Sequence, residues 1–219
     1  MTESEMRRVE ELSPSEIEAR SMAIIAQELA ARGGRHFSPQ EELVVKRVIH
    51  TTADFDFARH LIFSDGAVER ALEALRGGAC IVTDTNMARV GINRRSLAAL
   101  GGEIYCFMAD EDVANEAKRA GTTRARAAMD KAAGLGKDCI FAVGNAPTAL
   151  LRLYELVKEG RLCPKLIIGV PVGFVNVEAA KERIASLTDT PYIVAVGRKG
   201  GSAVAAAVCN ALLYQICRK

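Results

Sequence analysis

The hydrophobic and polar positions change their spacing along the chain, from helical periodicity in the first third to short apolar runs separated by helical segments. Three helices are predicted first. Ser13 and Ser38 each precede a proline and, three residues later, a glutamate, which is typical of a capped helix start. The first helix should continue to residue 31, the second should contain His50, and the third should span residues 66–75.

Short apolar runs typical of strands follow, and helical segments separate them. Because strands that alternate with helices favour a parallel sheet covered on both faces, we predict a three-layer α/β/α fold with a mostly parallel, Rossmann-like central sheet. No repeat or linker marks a boundary, so we expect one domain over residues 1–219, with residues 1–12 as a flexible N-terminus. The strand-like runs are residues 79–83, 103–107, 138–143, 165–170 and 191–196.

Composition narrows the class of protein. Of the 219 residues, 49% are hydrophobic and 26% charged, which is globular usage, and the net charge of +2 offers no long-range field for nucleic acid. No apolar run approaches the roughly 18 residues that span a bilayer. Residues 1–11 are acidic and polar, unlike a secretory leader, so we expect a cytoplasmic protein with no membrane or nucleic-acid partner.

The cysteines and two of the three histidines favour structural roles. None of the six cysteines has the two-residue spacing of zinc or redox motifs, so we predict no metal site. Cys80, Cys106 and Cys139 lie in strand-like runs and should be core residues. His36 and His60 should be structural or solvated.

Four turns follow predicted strands, at residues 84–92, 144–150, 169–176 and 197–202. In an α/β fold, ligands bind at the carboxyl ends of the strands, and a glycine turn before a helix offers backbone amides to anions. The last turn is therefore a candidate seat for a carboxylate or phosphate, although it matches neither the P-loop nor the dinucleotide fingerprint. Alternatively, the glycines only let strands turn into helices.

Two arginines, Arg124 and Arg126, lie in the first turn of another predicted helix. Since the positive end of a helix dipole disfavours cations, a bound anion explains these arginines better than the fold does.

His50 is the candidate proton donor. If its helix continues, Leu43, Arg47, His50 and Asp54 share one face, where Arg47 would disfavour the imidazolium and Asp54 would favour it. A histidine tuned near neutral pH can donate a proton. Alternatively, His50 only caps or packs a helix end.

Several motifs, in order from residue 17 to the final helix, carry a family resemblance. They are Ser21 within residues 21–25, Val48-Ile49-His50, the turn with Met87, Thr123-Arg124, and residues 144–150, 169–175 and 197–202. With these motifs the chain resembles the precorrin-8X methylmutases, a family also known in a cobalt-precorrin-8 form.

The resemblance implies an isomerase of cobalamin biosynthesis that moves a methyl group between adjacent ring C carbons and yields hydrogenobyrinate or cobyrinate. It implies that His50 protonates a ring nitrogen, that no redox cofactor is needed, and that the protein is a homodimer. Its partners would be the corrinoid substrate and product, and neighbouring pathway enzymes are candidates. Residues 51–56 resemble those of family members that use the cobalt-bearing substrate, although the sequence leaves the choice between the two substrates open.

Carboxylates of the substrate would meet cations and glycine turns, and Met87, Pro171 and Phe174 would face the macrocycle. The predicted substrate-binding residues are Ser21, Arg47, Met87, Arg124, Gly144, Gly173, Arg198, Lys199, Gly200 and Gly201.

Two other functions stay open from sequence: an α/β enzyme that binds a phosphate or nucleotide, and a corrinoid-binding protein without catalysis. The missing nucleotide fingerprints count against the first, and the positioned acid at His50 counts against the second.

Overall fold

The structure, a computed structural model, describes residues 11–217 and divides them into two compact units, one that ends at Gly33 and one that begins at Gly34. The described part of the first unit is helix α1 (Pro14–Arg32) with its flanking residues. The Ser13 hydroxyl and the Glu16 carboxylate cap each other's backbone amides, as predicted, and Gly33 ends the helix. The expected flexible N-terminus lies, for residues 1–10, outside the described residues.

The second unit is built on a six-stranded sheet in the order β1-β6-β5-β4-β2-β3. All neighbouring strands are parallel except β1, which is antiparallel to β6. The strands are β1 (Leu61–Phe63), β2 (Cys80–Thr83), β3 (Ile104–Tyr105), β4 (Cys139–Val143), β5 (Leu166–Gly169) and β6 (Tyr192–Ala195). The five predicted strands are confirmed. Strand β1 was missed because three residues are too few to show an alternating pattern.

Helices cover both faces of this sheet, which confirms the three-layer α/β/α class. One layer holds α2, α4, α5, α6 and α11, and the other holds α7, α8, α9 and α10. The helices of this unit are α2 (Pro39–Thr52), α3 (Phe57–His60), α4 (Ala67–Arg76), α5 (Asn86–Gly91), α6 (Arg94–Ala99), α7 (Glu111–Arg119), α8 (Arg124–Ala133), α9 (Pro147–Lys158), α10 (Val177–Ala185) and α11 (Ser202–Cys217).

The core follows from the alternation of side chains along the strands. Val82 and Phe141 face helices α7 to α10 and belong to a buried cluster with residues of those helices. On the other face, α11 is apolar on nearly all sides and contacts α2, α4, β4 and β5. Cys80, Cys106 and Cys139 are buried, as predicted.

The strand order fixes where the loops meet. After β2 the chain forms β3 on one side of β2, and β4 then pairs with β2 on its other side. In such sheets the crevice at this switch point, outside the carboxyl ends of β2 and β4, is the usual ligand site. None of the helices in residues 11–217 is long and apolar enough to span a membrane.

Candidate active site

Asp84 occupies the switch point. It follows β2 directly, is fully buried, and accepts hydrogen bonds from the backbone amides of Gly144 (2.9 Å), Asn145 (2.8 Å) and Ala146 (2.6 Å). Burial raises the pKa of Asp84, and the three amides act in the opposite direction. Since the protein's own carboxylate fills this turn, the Gly144 amide is not free to receive a substrate carboxylate.

Gly144 and Gly200, in two different turns, allow backbone to pack against backbone. A Cβ at Gly144 would lie 2.7 Å from the Cα of Ser202, and a Cβ at Gly200, where φ is 157°, would collide with the carbonyl oxygen of Val170. A Cβ at Gly201 would meet nothing within 4 Å. The Gly201 amide nevertheless donates to the Val170 carbonyl at 2.8 Å. For Gly144 and Gly200, the structure therefore supports the alternative hypothesis that these glycines are needed for the conformation of the turns.

Lys181 supports the loop of residues 197–201 between β6 and α11. Its side chain, on α10, is 1% exposed and donates to the carbonyls of Gly197 (2.7 Å) and Lys199 (2.8 Å). Loss of solvation lowers the pKa of Lys181 to about 8. This role could not be predicted from sequence, because a lysine on a charged helix usually faces solvent.

Lys199 binds acids of the protein itself. Its ammonium lies 2.7 Å from the carboxylate of Asp54 and 2.8 Å from that of Asp56. These hydrogen bonds raise the pKa of Lys199 and lower the pKa values of both aspartates. The contact connects the loop of residues 197–201 to the segment that follows α2, the helix that carries His50.

The His50 imidazole is exposed in the last turn of α2 and forms no hydrogen bond or ion pair with any residue between 11 and 217. The prediction that Asp54 shares its helical face is wrong. Helix α2 ends at Thr52, because Ala53 adopts a left-handed conformation with φ of 53°, and Asp54 turns to Lys199. The Arg47 guanidinium lies 5.1 Å from the Tyr214 ring centroid.

Arg124 is exposed at the first position of α8 and has no hydrogen-bond or ion-pair partner within the described range. The prediction that a bound anion explains both arginines is wrong for Arg126, because Arg126 forms an ion pair with Glu155 of α9. Thr123 caps α8 and donates a 2.9 Å hydrogen bond to Thr148, in the first turn of α9. The backbone of Arg124 therefore lies beside the turn of residues 144–146, which is bound by Asp84.

Exposed apolar side chains flank these cations. Met87, after β2, is 69% exposed, and Phe174, after β5, is 82% exposed with the Arg198 guanidinium 5.4 Å from its ring centroid. Pro171 is buried, so its predicted contact with a macrocycle is wrong in this structure. The loop hydrogen bond between Thr85 and Ser202, at 2.8 Å, joins the Met87 turn to the start of α11.

The remaining predicted residues have local partners. Gly173 donates its amide to the Arg198 carbonyl at 3.2 Å. Ser21, in the first unit, donates to the Ile17 carbonyl of its own helix at 2.7 Å. His60 contacts the Asp56 carbonyl at 2.7 Å through Nδ1. Within residues 11–217 no group of three or more histidine, cysteine, aspartate and glutamate side chains could hold a metal ion.

The fold and this edge define an α/β protein whose candidate ligand site, at the carboxyl ends of a mostly parallel sheet, combines cations with exposed apolar side chains. Residues 16–215 match the family model described as CbiC, precorrin-8X methylmutase. The chain therefore belongs to the precorrin-8X methylmutase family.

Individual proteins that are similar to this chain support the same family assignment. The chain is 44% identical to the cobalt-precorrin-8 methylmutase of Priestia megaterium over 92% of this chain and 88% of the relative, and 46% identical to that of Salmonella typhimurium over 93% and 96%. It is similar to a solved precorrin-8X methylmutase from Thermus thermophilus, with a TM-score of 0.83 and 43% identity over 91% of this chain and 94% of that one. The chain is an enzyme of this family, an isomerase of cobalamin biosynthesis.

Proposed function

We propose that this chain moves a methyl group between adjacent ring C carbons of a corrin precursor, with His50 as the proton donor. The observation that supports this role best is the exposed imidazole of His50 at the end of α2, which has no partner among residues 11–217 and lies beside the segment that Lys199 binds. A protonated His50 would give its proton to a ring C nitrogen and draw electron density along the conjugated ring as the methyl group shifts. Since substrate and product are isomers, the proton must afterwards be returned.

The substrate is a flat apolar macrocycle with acetate and propionate groups at its rim. Met87 and Phe174 offer exposed apolar surface to the ring, and Arg124 and Arg198 offer exposed guanidinium groups to the carboxylates. Lys199 contributes to the same site, although a substrate carboxylate would compete with Asp54 and Asp56 for its ammonium. Such a division between ring and rim suits a corrinoid better than a small phosphate ligand.

The remaining predicted contacts are part of this proposal. Gly144 and Gly200 would act by shaping the turns, since their backbones pack against Ser202 and Val170. The family match extends from α1 into α11, which supports the proposal that residues 1–219 act as one methylmutase domain. The other proposed substrate contacts are Ser21, Arg47, Gly173 and Gly201.

We also propose a cobalt-bearing substrate, a cytoplasmic location and a homodimer, with neighbouring pathway enzymes as further partners. The two bacterial relatives named above support the cobalt assignment by their names. Large exposed apolar residues in the second unit, such as Val90 and Val175, support an interface between two copies. Light scattering after gel filtration should give twice the mass of the chain, and the mass of one chain would contradict the dimer.

The test of function is turnover by the purified chain. We expect the chain to convert cobalt-precorrin-8 to cobyrinate, and the change in the absorption spectrum measures this conversion. We also expect a higher kcat/KM for cobalt-precorrin-8 than for cobalt-free precorrin-8X. Equal kcat/KM values for both substrates would contradict the cobalt assignment alone. Binding of both without conversion would contradict catalysis and leave a corrinoid-binding protein.

A further inference from the structure

The loop of residues 197–201 has three consecutive carbonyl groups that are all held by the protein. The Lys181 ammonium binds the carbonyls of Gly197 and Lys199, at 2.7 and 2.8 Å, and the Gly173 amide binds that of Arg198 at 3.2 Å. The side chains of Arg198 and Lys199 in the same segment are 59% and 43% exposed, and they form ion pairs with Glu178 and with Asp54 and Asp56, respectively. The loop therefore directs two carbonyl oxygens toward a buried ammonium and a third toward a backbone amide, while its cationic side chains stay exposed.

The burial of Lys181 is costly for the fold. Removing an ammonium from water costs several kcal/mol, so a buried charge is by itself weak evidence for a contribution to stability. A pocket of about 250 Å³ beside Lys181 is lined by Ile62, Val194 and Val196 and also by Glu178 and Glu182. An apolar side chain could occupy part of this space, but it could not donate to the carbonyls of Gly197 and Lys199 as the ammonium does.

We infer that Lys181 is a positioning residue for substrate binding, which turns the carbonyls of residues 197 and 199 inward so that the loop presents only cationic groups to the carboxylates of the corrinoid. This inference rests on the proposed function. Without the ammonium, the two carbonyls would seek other donors, and any that turned outward would repel a carboxylate.

The main experiment compares Lys181→Met with Arg183→Met. Both variants remove one positive charge from α10, but Arg183 is exposed and its guanidinium lies 5.8 Å from the Tyr154 ring centroid, away from the loop of residues 197–201. We expect Lys181→Met to weaken cobyrinate binding and to raise KM about tenfold, with kcat changed less than about threefold, because the proton donor lies on α2. Arg183→Met should change both constants less than twofold.

Two results would overturn the inference. One is a folded Lys181→Met protein that binds cobyrinate as tightly as Arg183→Met does. The other is a Lys181→Met protein whose kcat falls about tenfold while its KM is unchanged, because this would indicate damage to the catalytic step rather than to binding.

The wild-type protein offers a second test if Lys181→Met does not fold. The charged groups around the Lys181 ammonium are Glu178 and Glu182 on α10 and Arg198 and Lys199 on the loop. Carboxylates and guanidinium groups do not ordinarily titrate between pH 7 and 9, and the two aspartates raise the pKa of Lys199, so Lys181 loses its proton first. A neutral Lys181 amine keeps two N–H groups for the two carbonyls, but its hydrogen bonds are no longer charge-assisted and hold the loop less firmly. Cobyrinate binding should therefore weaken as the pH rises through about 8. It should stay constant over that range in Lys181→Arg, and a constant dissociation constant in the wild type would overturn the inference.

Failure of the proposed function would give a different result. A wild-type protein that does not bind cobyrinate at all would contradict the proposed function, and the loop would then be examined by hydrogen exchange. Faster exchange across residues 197–201 in Lys181→Met than in Arg183→Met would still support the positioning role. Equal exchange would overturn it.

Discussion

The carboxylate of Asp84 accepts a hydrogen bond of 2.9 Å from the backbone amide of Gly144, which lies 60 residues further along the chain. The two residues follow β2 and β4, the strands on either side of the switch point. Because the next two amides bind the same carboxylate, Asp84 fixes the whole turn before α9. Through Thr148 and Thr123 this turn contacts the start of α8, where Arg124 lies. The buried Asp84 thus supports the position of Arg124, an exposed residue proposed to bind the substrate.

Asp84→Asn tests this support. An amide NH₂ group would face backbone N–H groups and leave at least one of them without an acceptor, so we expect the free energy of unfolding to fall by about 1–3 kcal/mol. Urea denaturation measures the change. Asp65→Asn, at an exposed aspartate, is the matched control and should change stability by less than about 0.5 kcal/mol. Equal values for both variants would show that the hydrogen bonds of Asp84 add nothing.

Arg124→Ala should weaken cobyrinate binding by about 1–3 kcal/mol, the range for loss of a charge-assisted hydrogen bond, and the effect should shrink as salt rises. The control is Arg126→Ala, which breaks the ion pair with Glu155 and should lower stability more than affinity. Titration of the coloured product measures both affinities. An unchanged affinity in Arg124→Ala would remove this arginine from the site.

The two adjacent glycines before α11 should respond differently to substitution. Gly200→Ala places a Cβ against the Val170 carbonyl and should lower the melting temperature strongly. Gly201→Val meets open space but a strained φ of 138°, so it should cost less stability and should impair cobyrinate binding in the folded protein. Thermal unfolding and product titration separate the two effects. Normal binding by folded Gly201→Val would assign this glycine to the turn alone.

The lowered pKa of Lys181 predicts how stability changes with pH. Between about pH 8 and the ordinary lysine value of 10.5, the unfolded chain binds more protons at this site than the folded chain, so the site's contribution to stability rises with pH. The free energy of unfolding of the wild type minus that of Lys181→Met should therefore increase over this range, by up to about 3 kcal/mol. Chemical denaturation at pH 7.5 and 10 measures it. A constant difference would mean that the ammonium is not desolvated.

Local features of this fold could be predicted from sequence, but features formed by distant segments could not. The helix start at Ser38 could be predicted because its cap involves residues that are only three positions apart. The pairing of Lys199 with Asp54 joins residues 145 apart, and the role of Lys181 depends on a loop that returns from β6. The end of α2 was misplaced because Ala53, an ordinary helix former, adopts a left-handed conformation.

The candidate site divides in the same way. The turns that hold Met87, Arg124 and Arg198 were found because polar residues after apolar strands are visible in the sequence. Asp84 lay in one of these turns, but its role was missed, since nothing in the sequence shows that its carboxylate is buried against the amides of residues 144–146.

The central claim is that His50 donates the proton for methyl migration, and turnover of cobalt-precorrin-8 by His50→Ala tests it most directly. His36→Ala, which alters another exposed histidine outside the proposed site, is the matched control. We predict that His50→Ala abolishes conversion and still binds cobyrinate within about tenfold of the wild type, because the imidazole acts on the transition state more than on the carboxylate rim. His36→Ala should convert substrate normally. Near-normal turnover by His50→Ala would contradict the account.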